Sequence, residues 1–259
     1  MPSRRSAVWR LAQALAVLLI ASCASERPFI PPPPPIHANG QVLWRIIHDQ
    51  CVPGQLARGD PAPCALVSPD GFVVLKDRDG ATQYLVMPTA KITGIEDPSV
   101  LTPQAINYFS AAWGQRHYVD DRLGRPLDRT RVSVAVNSIY GRSQDQLHLH
   151  VDCLDASVGT ALASVRAPTK GRWRPIRLKG HAYHALWIAD DALIATNPFK
   201  LLAASIPGAR RAMGAWTLAL VGARGRGGAP GFYILADRVD PAARDWAEAE
   251  ELQDHACRT

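Results

Sequence analysis

The sequence predicts an α+β fold in which an antiparallel sheet carries packed helices. Gly71–Lys76 and Gln83–Met87 are β-rich runs separated by Asp77-Arg78-Asp79-Gly80, a turn sequence with a glycine available for positive φ. Arg131–Val136 places Val132, Val134 and Val136 on one face, and Gln146–Cys153 alternates apolar with polar side chains, the period of a half-buried strand. Between these strand pairs a helix is expected to open on Thr102-Pro103, a capping residue followed by the residue favoured at the first helical position, and to run to about Tyr118.

The remaining elements follow similar signals. Val42–Gln50 has helical spacing, with Leu43, Ile46 and Ile47 on one face, and Pro88 stops the strand that ends at Met87. Ser157–Arg166 reads as a helix, Tyr183–Ile188 as a strand, and Pro198–Met213 as a helix that Pro207 kinks or breaks. Trp216–Gly222 and Phe232–Ala236 read as a strand pair around Gly225-Arg226-Gly227-Gly228, a hairpin loop rather than a phosphate cradle because no helix follows it directly. Pro241–Asp254 reads as a closing helix. Gly71-Phe-Val-Val-Leu-Lys-Asp-Arg78 echoes Gly231-Phe-Tyr-Ile-Leu-Ala-Asp-Arg238 at five of eight positions, which marks a candidate duplicated half whose second copy lacks the histidine strand.

Length and composition bound the function. The 259 residues leave room for one large domain or two small ones. With 47% hydrophobic and 20% charged residues, the chain can build a core and is not of the disordered class. The net charge of +6 and pI near 9.3 suit nucleic acid, an anionic membrane surface or a phosphate-bearing substrate. No arginine–aromatic repeat or zinc-knuckle spacing points to nucleic acid, so none is expected as a partner.

Arg4, Arg5 and Arg10 precede an almost wholly apolar run, Leu11–Ile20, which leads into Ile20-Ala21-Ser22-Cys23. This resembles a bacterial lipoprotein signal, so residues 1–23 are expected to be targeting sequence and Cys23 the lipidated residue. An uncleaved signal anchor is the alternative, although the run is shorter than the ~20 residues a membrane span prefers. Both readings place the folded part outside the cytoplasm on a membrane. Residues 24–40 include Pro31–Pro35, an expected polyproline II spacer ahead of a domain over residues 41–259. Cys51, Cys64, Cys153 and Cys257 then suggest two disulfides, for which three pairings are open. The expected pairing among them is Cys51–Cys64, which closes a short loop rich in Pro and Gly, and Cys153–Cys257, which would then tie the C-terminal tail to the central strand. The rival, a metal site, lacks close Cys-x-x-Cys spacing.

On a strand over residues 146–153, Gln146, His148, His150 and Asp152 share one face, and Leu147, Leu149, Val151 and Cys153 share the other. The apolar face is expected to pack on the 103–118 helix. The polar row is costly to bury without partners and should face a cleft. A neutral imidazole is nucleophilic near pH 7 because its unperturbed pKa is about 6.5. It can attack phosphorus while its neighbour hydrogen-bonds the reacting oxygens, and water can complete the reaction on the labile phospho-imidazole. Structural histidines or zinc ligands are the blander readings. His181 and His184 flank Tyr183 after Arg172, Arg174, Arg177 and Lys179, a solvated basic face or a binding site for phosphate or lipid headgroups. Lys76 and Tyr84 are candidates to line the cleft, and His255, beside Cys257, reads as structural.

Val136-Asn137, followed by Gly141-Arg142-Ser143-Gln144-Asp145-Gln146-Leu147-His148-Leu149-His150, resembles the histidine-triad signature: an Asn, a Gly-containing loop, then alternate histidines on a strand. Gln83–Pro88 is similar to the superfamily strand that ends in proline before the long helix. From about Leu43 to Cys257 the chain further resembles the CDP-diacylglycerol diphosphatases, through Tyr84–Pro88, Ile92-Thr93-Gly94, Asn137, Gly141–Cys153, Leu252-Gln253-Asp254-His255 and the four cysteines. The resemblance implies a HIT-like antiparallel sheet with His148 as nucleophile and His150 as a donor to the phosphate. It puts Ser143 and the 141–144 loop, with Gln144, on the phosphate oxygens. It also implies added charge from Arg142 and an orienting role for Asn137. Gln146 stands where the family has its first histidine; it can hydrogen-bond but cannot titrate. The implied reaction is hydrolysis of CDP-diacylglycerol to CMP and phosphatidate at a membrane surface, without metal or cofactor. Another nucleotide hydrolase or nucleotidyl transferase of the superfamily, or an envelope lipoprotein that only binds nucleotide-lipids, are the alternatives.

Overall fold

A computed structural model describes residues 31–165 and 171–258. The expected signal with Cys23, residues 24–30 of the expected linker and Arg166 lie outside the described residues. Among the described residues no helix is long and apolar enough to cross a membrane.

Strands β1 (Leu66–Ser68), β2 (Phe72–Lys76), β3 (Tyr84–Pro88), β4 (Val132–Val136), β5 (Leu149–Cys153), β6 (Arg174–Leu178), β7 (His181–Ala189), β8 (Trp216–Arg224) and β9 (Pro230–Arg238) form one sheet. Its order is β1-β2-β3-β5-β4-β8-β9-β7-β6, and each neighbouring pair is antiparallel. The basic run Arg172–Lys179, read from sequence as a surface, is largely β6, with Arg174, Arg177 and Lys179 exposed.

Side-chain alternation sorts the sheet into two faces. On one face Val74, Val86, Val132, Val134, Leu149, Val151, Leu218 and Ile234 form a continuous core. The helices α3 (Tyr108–Gly114), α4 (His117–Leu123), α6 (Ala192–Ala195) and α7 (Pro198–Ser205) cover it through Phe109, Trp113, Val119, Leu193, Phe199 and Leu202. The opposite face is covered in patches. At one side α1 (Val42–Ile46), a π-helical turn (Ile47–Cys51) and α2 (Val52–Arg58) pack on Val73, Leu75, Leu85 and Met87. At the other, α5 (Ala156–Ser164) packs on Tyr183, Ala185, Val221 and Leu235. Between the patches runs the C-terminal segment after β9. It ends in an isolated bridge from Gln253 to Leu154 and a disulfide from Cys257 to Cys153. Cys51 and Cys64 form the second disulfide, so the pairing expected from sequence is the one present.

Several expectations are corrected. The expected 102–118 helix starts at Tyr108, because the Asn107 side chain caps it by accepting from Ser110 N at 3.2 Å. Thr102 instead closes a preceding 3-10 turn through Ser99 O. The expected closing helix over 241–254 is two short 3-10 turns, Pro241–Ala243 and Ala249–Leu252. Arg244 and Ala247 between them sit at φ 55, which a right-handed helix cannot contain. The histidine strand pairs only from Leu149, since β3 supplies partners for 149–151 and β4 for 150–153. Residues 31–40, the described part of the expected polyproline II spacer, touch the domain at two points: Tyr140 Oη donates to Pro32 O at 2.5 Å, and His37 Nδ1 lies 2.8 Å from Asp145.

The connectivity repeats. Helix, hairpin β2–β3, helices and hairpin β4–β5 are followed by helix, hairpin β6–β7, helices and hairpin β8–β9. Counted outward from the sheet centre, the two halves read β4-β5-β3-β2 and β8-β9-β7-β6. The echoed octapeptides do not occupy equivalent places in this repeat. One lies on β2, fourth from the centre, and the other on β9, second from the centre.

Candidate active site

The polar row of β5 sits on the patchily covered face, in the strip between the α1–α2 cluster and the C-terminal segment. Leu147, Leu149, Val151 and Cys153 point the other way into the core beneath α3 and α4. His148 and His150 therefore stand side by side with ring centroids 4.9 Å apart.

The hydrogen bonds assign each ring a role. His148 Nδ1 lies 2.6 Å from the Gln146 carbonyl oxygen, which can only accept, so the proton is on Nδ1 and Nε2 carries the free lone pair. Gln83 Nε2 has two N–H groups. One donates to Glu250 Oε1 at 2.8 Å and the other to His150 Nδ1 at 2.5 Å. His150 Nδ1 is then an acceptor and its proton sits on Nε2, which is buried with no partner. A lone pair and an unused N–H thus stand on adjacent rings, the pair a phosphorus centre and its oxygens require.

A second layer fixes them. Glu250, from the 3-10 turn Ala249–Leu252, lies 3.3 Å from His150 Nδ1 and accepts from Asn137 Nδ2 at 3.0 Å. Asn137 Oδ1 accepts in return from Glu250 N. Asp152, fully buried, accepts from Thr82 Oγ1 at 2.6 Å and from His255 Nδ1 at 2.8 Å, and His255 Nε2 reaches within 3.5 Å of Glu250. Asp77, at the end of β2, stands 3.9 Å from His150.

Burial pushes the His148 imidazole below its ordinary range, more than the nearby Glu250 and Asp77 carboxylates raise it. Burial pushes His150 down as well. For Glu250 burial acts upward, but the hydrogen bonds from Gln83 and Asn137 and the nearby His255 outweigh it and hold the carboxyl below the usual range. His255 moves the other way, raised by its bond to Asp152. At neutral pH the site is two neutral imidazoles beside a carboxylate.

A pH dependence follows. A histidine with a depressed folded pKa stays neutral while the unfolded chain takes up a proton. Its contribution to stability is complete above about 6.5 and declines as pH falls below that value. Denaturant unfolding from pH 8 to pH 5 should show this decline, and the acid limb of kcat/KM should lie below pH 6.5. An acid limb above 6.5 would contradict a neutral, buried His148.

The other sequence candidates divide. Gln146 is buried, and its amide donates to Pro88 O at 3.0 Å and Ala90 O at 2.9 Å. It anchors the chain after β3, and its own carbonyl holds His148. Arg142 does not offer a free charge: Glu96 takes it in a bidentate pair at 2.6 Å, with Asp145 at 3.2 Å. Gly94 is what lets it in, since a Cβ there would lie 2.0 Å from Arg142 Nη1. Gln144 accepts from Leu43 N at 3.2 Å, and Ser143 is exposed on the same loop. Lys76 and Tyr84 are corrected. Leu85 lies opposite His150, so by alternation its neighbour Tyr84, opposite Val151, faces the other side of the sheet. There its ring packs 5.1 Å from Tyr118 of α4, with Lys76, its partner on β2, 5.8 Å from its centroid.

Sequence reasoning missed Glu250, Gln83 and Asp77 and under-read His255. The usable signal was the disulfide. A bond from Cys153 to Cys257 must bring His255, and the chain just before it, against Asp152 on the histidine strand.

Fold and site together define an α+β protein that carries paired, buried imidazoles on one face of an antiparallel sheet. The family profile described as CDP-diacylglycerol pyrophosphatase matches residues 38–259. A Yersinia pestis protein named CDP-diacylglycerol pyrophosphatase is 44% identical over 224 residues, covering 85% of each chain. The chain belongs to the CDP-diacylglycerol pyrophosphatase family and is a hydrolase of pyrophosphate bonds.

Proposed function

We propose that this chain hydrolyses CDP-diacylglycerol to CMP and phosphatidate, as a step of phospholipid metabolism, through a phospho-histidine on His148. The observation that carries the mechanism is the tautomer pair: a bare Nε2 on His148 beside an unpartnered Nε2–H on His150. His148 Nε2 attacks one phosphorus, an N–P bond forms, and the bridging P–O bond breaks with its electron pair leaving on the other phosphate. His150 Nε2–H donates to the oxygens that gain charge. Water then adds to the phosphorus, the N–P pair returns to Nε2, and the proton from water passes to Glu250, with the partly exposed His255 as its way to solvent. In this reading Gln146, Asn137 and Arg142 are positioning residues. The 141–144 loop with Ser143 and Gln144 closes on the phosphates.

The sheet, the proline-ended β3 and the alternate histidines support a HIT-like half. The repeated connectivity supports a duplication in which only the first half kept its histidines. For location the reading is a lipid-anchored protein on the extracytoplasmic side. Two disulfides support an oxidising compartment, and a lipid substrate suits a tethered enzyme of net charge +6.

The test is rapid-quench turnover of CDP-diacylglycerol in detergent micelles at alkaline quench pH, where a phospho-imidazole survives. A cytidylyl or phosphatidyl mass increment on the peptide holding His148 is expected, according to which phosphorus is attacked, and Glu250→Gln should raise its steady-state level by slowing the water step. CMP release with no such adduct in either protein points instead to direct attack by water. No CMP release from folded protein would displace the substrate assignment in favour of another nucleotide substrate or a binding role.

A further inference from the structure

The C-terminal 3-10 turn carries consecutive glutamates that face different neighbours. Glu250 meets His150, whereas Glu251 Oε1 accepts from Tyr183 Oη at 2.7 Å and lies 2.9 Å from His181 Nδ1. His181 and Tyr183 are on β7, and the next strand, β9, presents Asp237 on the same face. Asp245 enters from the C-terminal segment, 3.7 Å from His181 Nδ1. One donor atom each from His181, Asp237 and Asp245 fall within 4.8 Å of one another.

Asp237 sets this cluster apart from a surface ion pair. It is only 3% exposed, and its Oδ2 is buried with no hydrogen-bond partner. Asp245, beside it, is equally buried. Two buried carboxylates at this spacing, facing one partly exposed imidazole, repel one another unless a proton or a cation stands between them. Donors bound at about 2.0–2.2 Å to one tetrahedral ion sit roughly 3.3–3.6 Å apart, so small side-chain rotations would close the set.

We propose that His181, Asp237 and Asp245 bind one divalent transition-metal cation such as Zn2+, with Glu251, now 2.9 Å from His181 Nδ1, swinging in as the fourth ligand. The ion would tie the C-terminal segment to β7 and β9, and so hold in place the turn that presents Glu250. It is a structural site, separate from His148 and His150.

The test uses the purified full-length chain, stripped with EDTA and titrated with Zn2+, with Mn2+ and Ca2+ for comparison, read by bound-metal stoichiometry and Tm. One equivalent of Zn2+ and a rise in Tm are expected. Asp237→Asn, Asp245→Asn and His181→Gln should each weaken Zn2+ binding by at least about 100-fold. His148→Ala should bind it as the parent does, which excludes the catalytic imidazoles as the ligands. The proposal is overturned if wild type shows no Zn2+-dependent rise in Tm. It is also overturned if Asp237→Asn raises Tm equally with EDTA and with Zn2+, as a carboxylate pair sharing a proton requires. Should the aspartate variants fail to fold, His181→Gln at the partly exposed rim decides between the same outcomes.

Discussion

His148→Ala is expected to lower turnover of CDP-diacylglycerol by at least about 10³-fold while leaving the protein folded. No neighbour can replace the lost lone pair. His150 Nδ1 is already an acceptor for Gln83 and its Nε2 carries the proton. Glu250 is engaged by Asn137 and Gln83. The side chain's hydrogen bond is local, to the carbonyl of Gln146 two residues before it, so its loss removes no long-range tie. Micelle binding of substrate should persist, and exogenous imidazole entering the vacated space should restore part of the rate. Activity within 10-fold of wild type would remove His148 from the chemistry.

The largest loss of stability is expected from opening the disulfide between Cys153 and Cys257, using Cys153→Ala with Cys257→Ala to leave no odd thiol. The bond closes a separation of 104 residues, and the chain-entropy estimate for such a loop is about 4–5 kcal/mol. The separation at Cys51–Cys64 is 13 residues, for which the same estimate is about 3 kcal/mol. The two pairs differ more in function than in energy. Cys257 holds the segment on which His255 donates to Asp152 and Glu250 reaches His150, so its release should lower turnover as well. Removing Cys51–Cys64 should spare the rate at temperatures where the protein stays folded. Guanidinium unfolding and turnover measured on both variants check this; equal activity losses would mean that the C-terminal segment has no special place in the site.

Local rules fixed much of the frame. Alternation at Arg131–Val136, in the second half of Gln146–Cys153 and in the Trp216–Ala236 hairpin appears as strand, because period-2 patterning needs only a sheet with one face buried; the expected Asp77–Gly80 turn is a longer loop over 77–83. The same alternation placed His148 and His150 on one face. Helix limits were harder to read. Asn107 and Thr102 are both competent caps, and only the carbonyls of Leu193 and Thr196, which Asn107 also binds, select between them.

The sequence by itself determined the α+β class, the placing of both histidines on one face, and a disulfide pairing that proved correct. The tertiary structure alone decided which other groups stand beside them. Pro241–Asp254 has helix-forming residues, yet Leu252, Ala249 and Gln253 gain burial on the sheet, and Glu250 a hydrogen bond from Asn137, only if that helix is given up. Tyr84 and Lys76 lie close to the histidines in the sheet, but the pleat turns them to its far side. Both outcomes have one physical cause. A site is assembled from segments distant in sequence, here residues 77–83, 137–152 and 250–255, and the energy that joins them is burial and hydrogen bonding between segments, which no local pattern contains.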